Sequence, residues 1–315
     1  FSFPLQAFSE ARTGDISDSM KMKTQTRSAD PLPADGEPVA ATRWKRERKR
    51  YTDWCTLGFC ILGGLLVGIT VLALANITMA ELADPAHLIK IATSSTVIES
   101  ILLTFGAGAS AVLLLIVFGT PLAYILARSR PSRFKGVVES IIDIPLILPH
   151  TVAGLLVYLL FMRRGWLGAP LSDIGLAFED ALPGTIVAML FVASPFYINS
   201  MREGFEKVPV HLENVARTLG AGTFTMFRTV SLPLSLRHMY SGAILAWGRA
   251  IGEFAGVIMI AYYPFIISTL IYYSFTTDGI RASRSIAFTV ILVSFGVFYL
   301  LRRMTRHLGR YDDRV

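Results

Sequence analysis

Long apolar runs alternate with short polar segments over most of the 315-residue chain. Because the hydrocarbon core of a bilayer is about 30 Å thick, a helix that crosses it needs roughly 20 mostly apolar residues. The runs that approach or exceed this length are Trp54–Asn76, Val97–Ala127, Val138–Met162, Gly184–Met201, Tyr240–Pro264 and Ile286–Leu301. None of them shows the alternation typical of a membrane strand. The pattern therefore predicts an all-α polytopic membrane protein with about six transmembrane helices.

Composition and charge agree with this prediction and give it an orientation. Only 17% of the residues are charged, whereas soluble domains have about 25%. Basic clusters lie at residues 43–50, 128–135, 202–237 and 302–310, and six spans place all four on one side. By the positive-inside rule that side is cytoplasmic, with Arg163 and Arg164 as the exception. Both termini are thus predicted to be cytoplasmic in a cell-membrane protein, and nucleic-acid binding is excluded because the charges flank apolar spans.

The same pattern divides the chain into four parts. Residues 1–50 are predicted to form a disordered basic cytoplasmic tail, and residues 51–80 the first transmembrane helix. A membrane core is expected over 94–302, with a cytoplasmic elbow at 203–237, followed by a tail at 303–315. Cys55 and Cys60 are five residues apart on one helix, so neither a disulfide nor a metal site is expected.

A polar, helix-like stretch interrupted by glycine, Glu213–Pro233, separates two apolar spans. His211–Leu219 has its apolar residues on one helical face, and Gly220 stands where a left-handed residue ends a helix. Thr223 is predicted to cap a second helix, which Leu232-Pro233 would end. The residues alone leave two interpretations open, a docking elbow or an ordinary loop.

Ionisable residues inside the predicted spans form a second group of candidates. Arg249 and Glu253 are four residues apart and are expected to pair, because an unpaired charge at mid-bilayer costs about 3 kcal/mol. The pair is either a gate or pathway element or a structural bridge, and the bridge is favoured. His150 follows Pro149 at a predicted kink, where it either donates to a passing anion or bonds a backbone carbonyl.

Three glycines with four-residue spacing, Gly248, Gly252 and Gly256, predict a helix-packing stripe. Packing within one subunit and packing across a dimer both fit this spacing.

The Glu213–Pro233 segment resembles the signature of importer-type ABC permeases, in which EAA, a glycine and a Leu-Pro pair recur at fixed spacing. Asn214, Val215 and Ala216 occupy the EAA positions, with Glu213 one residue early; Gly220 is the glycine and Leu232-Pro233 the terminal pair. The resemblance implies a type I ABC importer permease fold in which this segment seats in a groove of an ATPase subunit. The coupling residues it implies are Glu213, Asn214, Ala216, Arg217, Gly220, Ala221, Leu232 and Pro233.

Further segments are similar to the branch of this family that imports molybdate, tungstate or sulfate. They are Phe118–Ser129, Ile142–Gly154, Asp180–Phe191 and Trp247–Pro264, and the last looks most like archaeal molybdate/tungstate permeases. The chain has no Gly-Lys-Ser/Thr phosphate loop, so it is expected to be no enzyme, to hold no cofactor and to depend on a separate ATPase. The resemblance also implies an extracellular oxyanion-binding protein and a homodimer. The alternatives are an ABC permease for sulfate or another anion and an ion-gradient-driven secondary transporter.

Overall fold

The fold is described from a computed structural model that covers residues 54–309. The expected tail at 1–50, with its basic cluster, lies outside the described residues, as do residues 310–315. Every regular element in the described range is helical. The helices are α1 Trp54–Leu82, α2 Pro85–Ala92, α3 Ser95–Leu114, α4 Thr120–Arg128, α5 Arg133–Ile147, α6 His150–Phe161, α7 Gly168–Asp173, α8 Leu182–Lys207, α9 Val210–Thr218, α10 Thr223–Met226, α11 Leu232–Ile251, α12 Ala255–Ile260, α13 Ile267–Thr277 and α14 Ile280–Gly309.

Two π-helical turns join neighbouring helices without a loop. Leu115–Gly119 connects α3 to α4, and Phe227–Ser231 connects α10 to α11. The last helix, α14, runs on to Gly309, so the first residues of the tail expected from position 303 are helical.

Among residues 54–309, four helices are long and apolar enough to cross a membrane: Thr56–Leu82, Ser95–Arg128, Leu182–Lys207 and Ile280–Leu301. They correspond to the first, second, fourth and sixth predicted spans. The third is the pair α5 and α6, which are bent by 116° at a break that includes Pro149. If the pair counts as one span, the described residues contain five.

The fifth predicted span, Tyr240–Pro264, is not one helix. Helix α11 ends at Ile251, Gly252 caps it, and α12 begins at Ala255. Apolar residues flank the break on both sides, so hydropathy alone did not reveal it. At the beginning of α12, the carboxylate of Glu253 accepts a 2.7 Å hydrogen bond from the backbone N–H of Gly256. This N–H would otherwise have no partner within the helix.

The chain divides into two compact units, Phe1–Leu66 and Val67–Val315. The described part of the first unit, residues 54–66, is the N-terminal part of α1. The second unit is built around α8, whose Met189, Tyr197, Met201 and Phe205 are fully buried. The hydroxyl of Tyr197 lies 2.7 Å from Oγ1 of Thr120 on α4. Helix α8 is therefore the core element of this unit, and α3, α4, α5, α6, α11 and α12 pack against it.

Small residues bring α8 and α11 close together in opposite directions. A Cβ on Gly204 would lie 2.6 Å from Cβ of His238, and a Cβ on Gly242 would lie 2.8 Å from Cβ of Ser200. Because both distances are too short for real side chains, the glycines permit this approach of the helices. The two contacts also fix the register of α11 along α8.

The C-terminal end of α1 is tied to the beginning of α14 by a buried carboxylate. Glu81 is 1% exposed and accepts hydrogen bonds from Nε of Arg284 and from Oγ of Ser285, the latter at 2.7 Å. Asp84 is the N-cap of α2, and its carboxylate accepts a hydrogen bond from the backbone N–H of His87.

Candidate functional site

The elbow predicted at Glu213–Pro233 begins with α9, which a glycine ends. Gly220 has φ +88°, the left-handed conformation expected of it. The N–H of Ala221 bonds the carbonyl of Ala216, and that of Gly220 bonds the carbonyl of Arg217, both at 3.0 Å. These are the two hydrogen bonds of a Schellman motif, so the helix end is fully formed.

The second half of the elbow differs from its prediction. Thr223 is not a cap: Gly222 occupies the N-cap of α10 and no side chain caps it. Leu232-Pro233 does not end a helix but begins α11, because proline in a first turn lacks only an N–H that would be unpaired there anyway. The elbow is therefore continuous with α11 through the π-turn.

The apolar face of the elbow points away from the bundle. Leu219 is 83% exposed and Phe224 is 74% exposed, and Leu212 and Val215 are exposed as well. We call these four residues the elbow patch. Exposed apolar side chains that share one helix face, as Leu212, Val215 and Leu219 do, mark interaction surfaces.

One elbow residue faces inward. Glu213 is 1% exposed, and its Oε1 accepts a 2.7 Å hydrogen bond from Nη2 of Arg128, the last residue of α4. Nε of Arg128 lies 3.0 Å from both carboxylate oxygens, and Oγ of Ser231 donates to Oε1 at 2.7 Å. Burial raises the pKa of Glu213, but the bonds from Arg128 and Ser231 outweigh it and hold that pKa below its ordinary value.

The predicted coupling residues thus fall into two sets. Asn214, Arg217 and Gly220 are exposed beside the elbow patch, with Ala216 and Ala221 half-buried. Glu213 is buried, while Leu232 is half-buried and Pro233 exposed at the beginning of α11. Sequence reasoning missed Arg128 and Ser231, which hold the elbow; Arg128 was noted only as part of a basic cluster.

The structure brings the three intramembrane candidates into one cluster. Nη2 of Arg249 donates to Oε2 of Glu253 at 2.8 Å, which confirms their expected pairing. The same Nη2 lies 2.9 Å from Nε2 of His150. His150 therefore contacts a guanidinium rather than either predicted partner, a carbonyl or an anion. Glu253 is 1% exposed, Arg249 half-buried and His150 exposed.

The three glycines predicted to form one packing stripe do not lie on one helix, because α11 ends at Ile251 and Gly256 belongs to α12. Each has a different role. A Cβ on Gly248 would lie 2.7 Å from Cζ of Phe298 on α14. Gly252 caps α11 and makes no close contact with another element. Gly256 packs against α6, where a Cβ on Gly154 would lie 2.7 Å from its Cα.

Comparisons with known proteins agree with this architecture. The family model described as "Binding-protein-dependent transport system inner membrane component" matches residues 119–310. A molybdate/tungstate transport system permease protein of Pyrococcus abyssi is 37% identical over 250 residues, covering 79% of this chain and 95% of the relative. A probable sulfate transport system permease protein of Anthoceros angustus is 29% identical over 244 residues, covering 75% and 84%.

A solved structure shows the same fold. The bacterial alginate ABC transporter in complex with alginate pentasaccharide-bound periplasmic protein contains a chain that matches with a TM-score of 0.65 and 18% identity. The match covers 84% of this chain and 97% of that one. The fold predicted from the sequence, an all-α ABC importer permease, is thereby confirmed. This multi-pass membrane protein belongs to the family of inner membrane components of binding-protein-dependent transport systems.

Proposed function

We propose that this chain is the permease subunit through which an ATP-driven importer moves molybdate or tungstate into the cell. The support for the anion is that the molybdate/tungstate relative is 37% identical and the sulfate relative 29%. The observation that carries the transport mechanism is the elbow patch, an exposed apolar surface on a segment locked to the bundle by Glu213 and Arg128.

The partner proposed for the elbow patch is the ATPase subunit. Asn214 and Arg217 are exposed beside the patch and supply polar contacts, while Gly220 turns the chain so that Leu219 and Phe224 both project outward. Glu213 contributes by holding the elbow against Arg128, because its carboxylate is buried and cannot contact a partner. Apolar centres with polar rims are the usual composition of such interfaces.

The assembly proposed is a homodimer around a central pathway. The elbow and both termini lie in the cytoplasm, with α11 and α12 together taken as a sixth, interrupted span. The orientation rests on the basic clusters at residues 128–135 and 202–237, which flank the elbow. A separate extracellular binding protein delivers the anion. When ATP closes the two ATPase subunits, the elbows move with them and α4 and α11 carry that movement into the bundle.

The test is uptake by the complete complex, reconstituted in vesicles with its ATPase and binding protein. Molybdate should accumulate inside only when ATP and the loaded binding protein are both present, and excess tungstate should compete better than sulfate. Accumulation driven by an ion gradient without the ATPase subunit would overturn the proposal in favour of a secondary transporter. Stronger competition by sulfate would overturn the anion assignment alone.

A further inference from the structure

We propose that Arg249 and His150 form a transient contact site for the transported oxyanion at the point where two interrupted helices meet. This inference rests on the proposed import function and assigns a place in the bundle to the passing anion. The ligand is a tetrahedral oxyanion of the molybdate type, bound through hydrogen bonds from a guanidinium and an imidazole.

The first observation is that two breaks in helical structure lie side by side. His150 is the first residue of α6, directly after the break that separates it from α5. Arg249 lies in the last turn of α11, just before the break at Gly252. Their 2.9 Å contact joins the breaks, and α6 and α12 pack tightly beyond them at Gly154 and Gly256. Interrupted helices at membrane depth occur where the backbone is buried in protein or lines a water-filled cavity.

The second observation is the depth of the cluster. Gly242 lies at the level of Ser200 on α8, and the seven residues from Gly242 to Arg249 rise about 10 Å along α11. Because the two helices run in opposite directions, Arg249 lies about 17 Å from the beginning of α8, a helix about 39 Å long. The cluster is thus near the middle of the membrane, where an ionisable group without a function is costly.

The third observation is which groups of the cluster remain available. Glu253 is buried, and its carboxylate already accepts from Gly256 and from Arg249. Both contacts that Arg249 makes within the described chain use Nη2, so the hydrogens on Nε and Nη1 have no acceptor there. Since Nε2 of His150 faces a donor, it must accept, and the imidazole proton is then on Nδ1. The side-chain groups of Arg249 and His150 that remain available are therefore hydrogen-bond donors, which suits an anion.

The charge balance explains why such a site would not trap its ligand. Glu253 neutralises Arg249, so the cluster attracts an anion mainly through hydrogen bonds rather than net charge. A permeation pathway needs contacts that an ion can leave as readily as it enters them. The paired arginine thus combines selectivity for oxyanions with fast release.

The decisive comparison uses the complete reconstituted complex and separates this role from a structural one. Arg249→Gln removes the donors but leaves Glu253 buried without its cation, whereas the double variant Arg249→Gln/Glu253→Gln leaves no unpaired charge. Both should lose about tenfold or more of molybdate transport, the size expected for a lost charge-assisted hydrogen bond. In the double variant, ATPase stimulation by the loaded binding protein should persist. The control Arg281→Gln, on an exposed arginine paired with Asp84, should transport normally.

Recovery of wild-type transport in the double variant would overturn the inference, because Arg249 would then serve only to neutralise Glu253. If the wild-type complex itself failed to move molybdate, the proposed function would be overturned instead.

A second measurement tests whether the junction meets the anion's aqueous route. In a chain without Cys55 and Cys60, Thr151→Cys adds an exposed thiol beside His150. A membrane-impermeant anionic thiol reagent should label this thiol, and molybdate should slow the labelling during turnover. Phe295→Cys, on a lipid-exposed position of α14, should stay unlabelled. Failure of the junction thiol to react in any state would overturn the inference.

Discussion

Arg128, at the end of α4, donates hydrogen bonds of 2.7–3.0 Å to the carboxylate of Glu213 in α9, although the two residues are 85 positions apart in the sequence. Nη2 of Arg128 also donates to the carbonyl of Val208, just before α9, at 3.1 Å. Arg128 thus holds both Glu213 and Val208 against the end of α4. In the proposed mechanism, movement of the elbow would reach the bundle along two routes, directly into α11 and through Arg128 into α4.

Removing Arg128 should loosen the elbow without unfolding the bundle. In Arg128→Met the buried carboxylate of Glu213 loses its cation, and the free energy of opening α9 should fall by about 3 kcal/mol. Hydrogen exchange of the amides in Val210–Thr218 measures this, and ATPase stimulation by the loaded binding protein should drop in parallel. Glu206→Gln, which affects only an exposed pair with Arg202, should change neither. Unchanged amide exchange in Arg128→Met would show that the Arg128–Glu213 pair does not hold the elbow in place.

Acid should open the same contact. Because the folded state lowers the pKa of Glu213, its contribution to elbow stability is complete above the ordinary value of 4.5 and is lost as the pH falls through the lowered value. Amide exchange in α9, corrected for the intrinsic pH effect, should be constant from pH 7 to pH 5 and faster below about pH 4. The Glu213→Gln variant should lack this transition; if it kept the transition, another group would be responsible.

The elbow turn should depend on the backbone of Gly220 and not on space around it. No atom lies within 4 Å of a Cβ built on Gly220, so the penalty for a side chain comes from φ +88° alone. Gly220→Val should cost about 2 kcal/mol and impair uptake, whereas Gly220→Asn should be milder because asparagine tolerates this conformation. Gly222→Val is the matched control, since Gly222 has φ −66° and equally open surroundings. Anion uptake and membrane insertion should be measured for all three variants. Normal uptake by Gly220→Val would contradict a coupling role for the elbow.

The contact between α6 and α12 should tolerate no added atom at Gly154. A Cβ there would lie 2.7 Å from Cα and 2.8 Å from the carbonyl oxygen of Gly256, and backbone cannot yield as a side chain can. Gly154→Ala should therefore destabilise the protein by about 1–3 kcal/mol, seen as a lower melting temperature in detergent. Gly106→Ala, at a position with open surroundings, should melt as the wild type does. Equal melting temperatures would show that the two helices can separate at little cost.

Much of the elbow could be predicted from the sequence, because the patterns that define it involve residues close together in the chain. Gly220 was expected to be left-handed from its position after an amphipathic helix, and it is. The predicted pairing of Arg249 with Glu253 also depended only on spacing along the chain. The prediction for Thr223 failed because α10 begins at Thr223 itself, with Gly222 as its N-cap. The prediction for Leu232-Pro233 failed because the π-turn Phe227–Ser231 continues the helical structure into α11, and a Leu-Pro pair suits the beginning of a helix as well as its end.

The sequence by itself determined that this chain is a helical membrane protein of the ABC permease family, since apolar length, charge distribution and motif spacing are properties of consecutive residues. Only the tertiary structure decided that Glu213 turns inward to Arg128, that Tyr240–Pro264 breaks at Gly252, and that His150 meets Arg249. The first and the last of these depend on residues far apart in the chain. Their partners are set by how α4, α6 and α11 pack around α8, and no local pattern encodes that packing.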